Sequence, residues 1–164
     1  MSKYTELLRL RFVLPLAEKL KGLKVTHWYY QILKMNTWSS QQIQDWQNQH
    51  LHDFVCHAYV HTKYYRELFN KLGLTPDDIQ TIEDLRKLPV LDKDTIRMRF
   101  HDFVPDNINQ ISYRLETTGG TTGEPMKYLV SEDTWGYLNA VKILAWKTTS
   151  YQYGDKFAAL GSAS

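Results

Sequence analysis

Four threonines and three glycines are packed into Thr117-Thr118-Gly119-Gly120-Thr121-Thr122-Gly123-Glu124-Pro125. Glycine lets a backbone take positive φ and brings N–H groups close to a ligand. Successive N–H groups in such a turn make a concave anion site. Threonine hydroxyls add rotatable donors. No lysine lies inside the nine residues, so the donors are backbone amides and hydroxyls, a set suited to a polyphosphate. The loop is flanked by two segments that read as strands, Ser112–Glu116 and Met126–Val130.

Two standard phosphate motifs do not fit. A Walker A loop needs G-x-x-x-x-G-K-[ST], and Gly123 is followed by Glu124. A dinucleotide fingerprint needs G-x-G-x-x-G, and position 118 is Thr. A plain Gly/Thr hairpin turn between two short strands is the competing interpretation. Loop chemistry alone leaves the two level.

Ahead of the loop the chain reads as helical. Residues 3–20 form an amphipathic helix ending near Gly22, kinked or split at Pro15. Residues 23–38 are aromatic and ambiguous, with Trp28-Tyr29-Tyr30 assigned to packing rather than base stacking. Ser39 opens a helix, and Gln42 three residues on completes a capping box. That helix is expected to reach about Lys71 and stop at Gly73. Thr75-Pro76-Asp77-Asp78 and Thr81-x-x-Asp84 open two short helices, the second ending at Leu88-Pro89, and Asp92 caps a further one over Lys93–Phe100. Beyond the loop, Ser131 caps a helix from Glu132 to about Thr149, whose Trp135, Leu138, Val141 and Ala145 recur at helical spacing. Lys156–Gly161 reads as the next strand. The predicted division is a helical region over 1–110 and the start of an α/β nucleotide-binding part over 111–164. A strand with nothing to cover it makes the sequence look cut inside a domain, with self-association through uncovered apolar surface as the consequence.

A chain of 164 residues is one domain's worth. Its net charge of +2 demands neither nucleic acid nor an anionic membrane. No window approaches 18 uncharged apolar residues, so no membrane span is expected. Met1–Lys21 is no signal peptide, because Arg9 and Arg11 break its apolar run. The single cysteine, Cys56, suits a reducing compartment, and a cytoplasmic location is expected. Cys56 reads as a small buried hydrophobe rather than a nucleophile. His50, His57 and His61 fall within roughly 40° on one helix, and His52 lies in the same cluster. The H-E-x-x-H glutamate is missing, so packing is preferred to metal and no metal ligand is assigned. Arg97 and Arg99 read as a solvated helix face. Glu116 and Glu124 flank the loop, and a carboxylate there repels phosphate unless Mg2+ intervenes.

Thr118-Gly119-Gly120-Thr121-Thr122-Gly123-Glu124-Pro125-Met126-Lys127 resembles the phosphate-binding loop of the adenylate-forming superfamily, written [ST]-S-G-[ST]-T-G-x-P-K. Gly119 stands where that pattern has Ser, and Met126 displaces Lys127 by one. A hydrophobic residue after the proline is a mark of the phenylacetate–CoA ligase and CapK-like branch. A second stretch resembles the helical start of such ligases: His57-Ala58-Tyr59, Lys63-Tyr64-Tyr65-Arg66-Glu67-Leu68-Phe69, Leu72-Gly73-Leu74, and Ile82 to Lys93. The resemblance runs from Gln49 onward, roughly two-thirds of the chain. It implies an α/β fold: a helical N-terminal lead-in, then the first strands and helix of a ligase N-terminal domain, truncated. It implies a ligase that uses ATP and Mg2+ to activate a small-molecule carboxylate as acyl-AMP, the acyl group then passing to coenzyme A or another acceptor. Thr117, Thr118, Gly119, Gly120, Thr121, Thr122, Gly123, Glu124, Pro125 and Lys127 would bind the nucleotide phosphates. The adenine-, ribose- and metal-gripping groups of the family lie beyond this loop, so no catalytic residue is assigned, and this chain alone is expected not to turn over. CapK-like relatives are associated with surface polysaccharide synthesis. The alternative is a non-catalytic relative acting as a binding module.

Overall fold

The protein is described by a computed structural model that covers residues 8–21, 23–118, 125–149, 151 and 155–156. It is mostly helical, with a small two-stranded antiparallel sheet, compatible with a mixed α/β piece. The described residues form two compact units. One holds the residues up to Thr37, 113–118, and those from Tyr128 onward; the other holds 38–112 and 125–127.

The first unit begins with a π-helical turn, Arg9–Val13, that runs into α1, Leu14–Lys21. The Leu14 N–H donates to the Arg9 carbonyl, five residues back. Pro15 explains this. It has no N–H, and its ring would strike the carbonyl four residues earlier, so the turn before it widens rather than breaks. The aromatic segment is helical: α2, Val25–Met35. Tyr29 is buried and Trp28 is half-buried, edge-on to Tyr137 at 5.4 Å.

Strands β1, Tyr113–Thr117, and β2, Lys127–Ser131, pair as neighbours. Both lie one residue beyond the predicted limits. Ser131 caps α6, Glu132–Lys147, as expected: its hydroxyl accepts the Thr134 amide at 3.1 Å. The face of α6 is a correction. Leu138 and Val141 are exposed, while Gly136, Ala140 and Ile143 are buried. Small residues win that face because α2 comes close. A Cβ built on Gly136 would stand 3.1 Å from both the backbone N and C of Lys24. Val25, Tyr29, Ala140 and Ile143 form the resulting core, with Leu14, Leu23, Ile32 and Leu144 against it. Of the strand expected over Lys156–Gly161, Lys156 is described and carries no strand structure; the rest lies outside the described residues.

The second unit opens on the predicted capping box. The Ser39 amide donates to Gln42 Oε1 at 2.9 Å and the Gln42 amide to Ser39 Oγ at 3.3 Å. The helix that follows is not continuous to Lys71. It is α3, Ser40–His61, then α4, Lys63–Leu72, broken at Thr62. Thr62 is extended (φ −118°, ψ 138°), buried, and donates its hydroxyl to the Ala58 carbonyl at 2.7 Å. A threonine that bonds back to the preceding turn offers the chain an exit from the helix. The break folds α4 onto α3, so that Phe69 meets Val55 and Ile79. Gly73 ends α4 in the left-handed conformation (φ 65°), as read from the sequence.

Two 3-10 turns, Pro76–Asp78 and Ile82–Lys87, follow, each with a Thr/Asp capping box. A short helix, α5, Lys93–Met98, is capped by Asp92. Arg97 pairs with Asp94 on the surface, and Arg99, equally exposed, is tied into a larger set of contacts. It donates to Glu67 at 2.5 Å and Asp102 at 2.7 Å, and its guanidinium lies 5.0 Å from the centre of the Tyr64 ring.

Acid should loosen this unit. Asp84 is held well below the usual carboxylate range, first by the Lys87 ammonium at 2.7 Å, then by the Thr81 hydroxyl and amide. Asp78, Asp92, Asp102 and Asp106 are lowered too, by Thr75, Thr95, Arg99 and His61. A carboxylate with a depressed folded pKa contributes stability above its unfolded value, about 3.9. That contribution is lost as pH falls from there through the folded value. The melting temperature should therefore drop below about pH 4, and an Asp84→Asn variant should drop less steeply. Parallel melting curves against pH for the two proteins would contradict the assignment.

Candidate functional site

β1 alternates cleanly: Arg114 and Glu116 are half-buried, while Tyr113, Leu115 and Thr117 are exposed. The half-buried face is held by α6. Arg114 Nε and Nη2 donate to the two carboxylate oxygens of Glu132 at 2.9 and 3.0 Å, a bidentate pair. The Arg114 guanidinium also sits 4.8 Å from the centre of the Trp135 ring. Glu132 raises the Arg114 pKa above its ordinary value, so the guanidinium keeps its charge. Asp133 reaches Lys24 at 2.9 Å, and Lys147 donates to the Tyr29 hydroxyl at 2.9 Å. The strand that enters the Gly/Thr loop is thus tied to α6, and α6 at both ends to the segment of α2.

Residues 118–126 join the two strands. A tight hairpin turn needs two to five residues. This connection is longer than chain reversal requires, and binding residues are disproportionately carried on loops between regular elements.

Of the residues expected to hold phosphate, Thr117, Thr118, Pro125 and Lys127 are described, and all four are exposed. Gly119, Gly120, Thr121, Thr122, Gly123 and Glu124 lie outside the described residues. Lys127 is the first residue of β2. On the described flanks the side chains that could meet an anion are donors: the Thr117 and Thr118 hydroxyls and the Lys127 ammonium. Glu116 falls on the other strand face, half-buried.

No family model matches the chain. Three curated relatives do. The chain is 34% identical over 92 residues to a phenylacetate-coenzyme A ligase of Escherichia coli (strain K12), covering 56% of this chain and 21% of the relative. It is 32% identical over 94 residues to the phenylacetate-coenzyme A ligase of Aromatoleum evansii, with the same coverage. It is 31% identical over 114 residues to that of Pseudomonas putida, covering 68% of this chain and 26% of the relative. This likeness supports a relationship to the adenylate-forming ligases. The chain spans about a fifth to a quarter of the length of the curated relatives it matches.

The histidines of α3 have other partners. The His61 Nδ1 lies 2.7 Å from Asp106 Oδ1, and the Asp106 amide donates to the His61 carbonyl at 2.8 Å, pinning the turn at 105–107 to the end of α3. His50 stacks on Trp46 with ring centres 4.0 Å apart. His57 and His61 rings are 4.7 Å apart. Cys56 is half-buried rather than buried, with its Sγ 3.6 Å from His52 Nε2. The four-residue spacing from His52 to Cys56 was the signal available in the sequence. Arg114, Glu132 and Trp135 as a group also escaped it, since the pairing joins residues 18 positions apart.

Among the described residues, no helix is long and apolar enough to cross a membrane.

Proposed function

We propose that this chain is the front part of an ATP-dependent ligase that activates a carboxylate as acyl-AMP and passes the acyl group to coenzyme A. The observation that carries the proposal is the Gly/Thr motif standing on an overlong connection between two paired strands, in a chain similar to phenylacetate-coenzyme A ligases. All three relatives bear the phenylacetate name, so we take that branch and a small aromatic acid as substrate, rather than the CapK-like branch and polysaccharide synthesis. The cytoplasm, which supplies ATP and coenzyme A and keeps Cys56 reduced, is the proposed location.

The loop's task is positional. Amides of Gly119, Gly120 and Gly123 and hydroxyls of Thr117, Thr118, Thr121 and Thr122 would hold the β- and γ-phosphates by neutral hydrogen bonds, with Lys127 adding charge from the β2 side and Pro125 stiffening the exit. Mg2+ would supply neutralisation of the phosphate charge, making pyrophosphate a better leaving group. The Arg114–Glu132 pair keeps the entering strand in place. Residues 1–110 then serve as the helical lead-in and 111–164 as the start of the nucleotide-binding part. Self-association of the chain is proposed through Tyr113 and Leu115, which are exposed on one face of β1.

Binding is the direct test, because the chain carries no assigned catalytic residue and purified 1–164 protein should form no AMP. Mg·ATP at about 100 times its dissociation constant should stabilise the folded protein by about 2.7 kcal/mol. The double substitution Thr121→Val with Thr122→Val should remove most of that shift. An equal shift in the double variant would move binding away from the loop. No shift in either protein would favour the non-catalytic binding module, for which the missing hydroxyl at Gly119 already speaks.

A further inference from the structure

Among the described side chains of the N-terminal helix, four large apolar residues face solvent. Leu8, Phe12, Val13 and Leu16 are 55, 62, 61 and 66% exposed. Leu14 and Pro15 are half-buried and Glu18 is buried, so these mark the inward face. Leu8, Phe12 and Leu16 are four residues apart. One turn of α-helix takes 3.6 residues, and the π turn over Arg9–Val13 is wider, so the three follow one line along the helix with Val13 beside it.

The charges around this stripe are of one sign. Arg11 and Lys19 are exposed, and Arg9 is half-buried. The one acid among residues 8–21 is Glu18, which turns inward and accepts the Thr26 amide at 2.6 Å. Residues 1–24 hold six lysines and arginines against two glutamates, more positive charge than the +2 of the whole chain. An exposed apolar stripe bordered by basic residues is the arrangement of helices that lie in a bilayer interface, apolar side down, with the cations at headgroup level.

We propose that this helix docks on an anionic phospholipid surface. Charge decides against the nearest competitor, a second copy of the chain: two copies meeting on this stripe would bring Arg11 and Lys19 against their own duplicates, whereas anionic headgroups neutralise them. The proposal rests on the N-terminal helix and not on the Gly/Thr loop. It stands or falls apart from ATP binding.

The test is co-sedimentation of the full 1–164 chain with phosphatidylcholine vesicles containing about 30% phosphatidylglycerol, a composition chosen for its negative surface. Binding is expected to these vesicles and not to pure phosphatidylcholine. Phe12→Ser together with Leu16→Ser should lower the partition coefficient at least tenfold. Arg11→Gln and Lys19→Gln should each lower it about fivefold. Raising NaCl from about 0.1 to about 1 M shortens the screening length from about 10 to about 3 Å and should weaken binding further. All four side chains are solvent-facing, so the variants should melt with the parent. Absence of binding to the anionic vesicles overturns the proposal. So does binding that the Phe12/Leu16 variant retains, or a dimer in light scattering that those two substitutions dissociate.

Discussion

Replacing Phe69 with alanine should cost about 3–5 kcal/mol and lower the melting temperature by about 10 °C or more. Phe69 is 1% exposed and packs with Val55 and fully buried Ile79, flanked by Leu51, Tyr59, Tyr65 and Leu74. Its ring meets Tyr59 edge-on with centres 5.7 Å apart. Truncation would remove the ring's transfer energy and leave a cavity that α3 and α4 cannot close, because Thr62 fixes how α4 returns along α3. Phe69→Leu keeps most of the volume and should cost under about 1.5 kcal/mol. Val90→Ala supplies the contrast: Val90 is 98% exposed, and its loss should stay within about 0.5 kcal/mol. Urea melts of the three variants measure this directly. A Phe69→Ala cost no larger than that of Val90→Ala would mean that α4 is not packed where the structure puts it.

Local rules carried the sequence reading where the signal was local. Ser39 with Gln42, Thr81 with Asp84, Asp92, Gly73 and Ser131 all act as read, because a cap is decided by residues within three or four positions. The reading lost ground where a long-range partner decides. Thr62 breaks a helix that periodicity would continue, since nothing in its neighbourhood announces that Phe69 must return to Val55. The pairing of Arg99 escaped because Glu67, 32 positions earlier, does not figure in a helix-face argument. The donor-rich run of Gly and Thr is plain in the sequence, while its centre, 119–124, lies outside the described residues. Its support was not legible there: the Arg114–Glu132 pair and the Lys24–Asp133 contact join elements that only the fold brings together. The face of α6 failed for a further reason. Hydrophobic size is a guide to burial only when there is room for size, and a close helix approach selects glycine and alanine instead.

That last point makes the second large effect. Gly136→Leu should destabilise the protein by about 3 kcal/mol or more. The added Cβ alone would stand 3.1 Å from Lys24 N and C and 3.3 Å from Val25 N. These are backbone atoms and cannot rotate aside, so the start of α2 must move off α6. Moving it opens the Val25, Tyr29, Ala140 and Ile143 core, in which Ala140 is 0% exposed. Gly136→Ala separates the two contributions. Alanine favours the helix by about 0.5–1 kcal/mol over glycine, while its methyl still presses on Lys24, so the two should cancel to within about 1 kcal/mol. Tolerance of leucine within 0.5 kcal/mol, a size typical of surface changes, would remove the close approach of α2 to α6. The consequence reaches the candidate site through the chain itself. α6 carries Glu132, Glu132 grips Arg114, and Arg114 holds the strand that leads into Thr117 and Thr118. Nucleotide stabilisation should therefore shrink in Gly136→Leu even at temperatures where the protein is still folded, and remain near the parent's in Gly136→Ala. A full nucleotide shift in a folded Gly136→Leu protein would separate the loop from its support on α6.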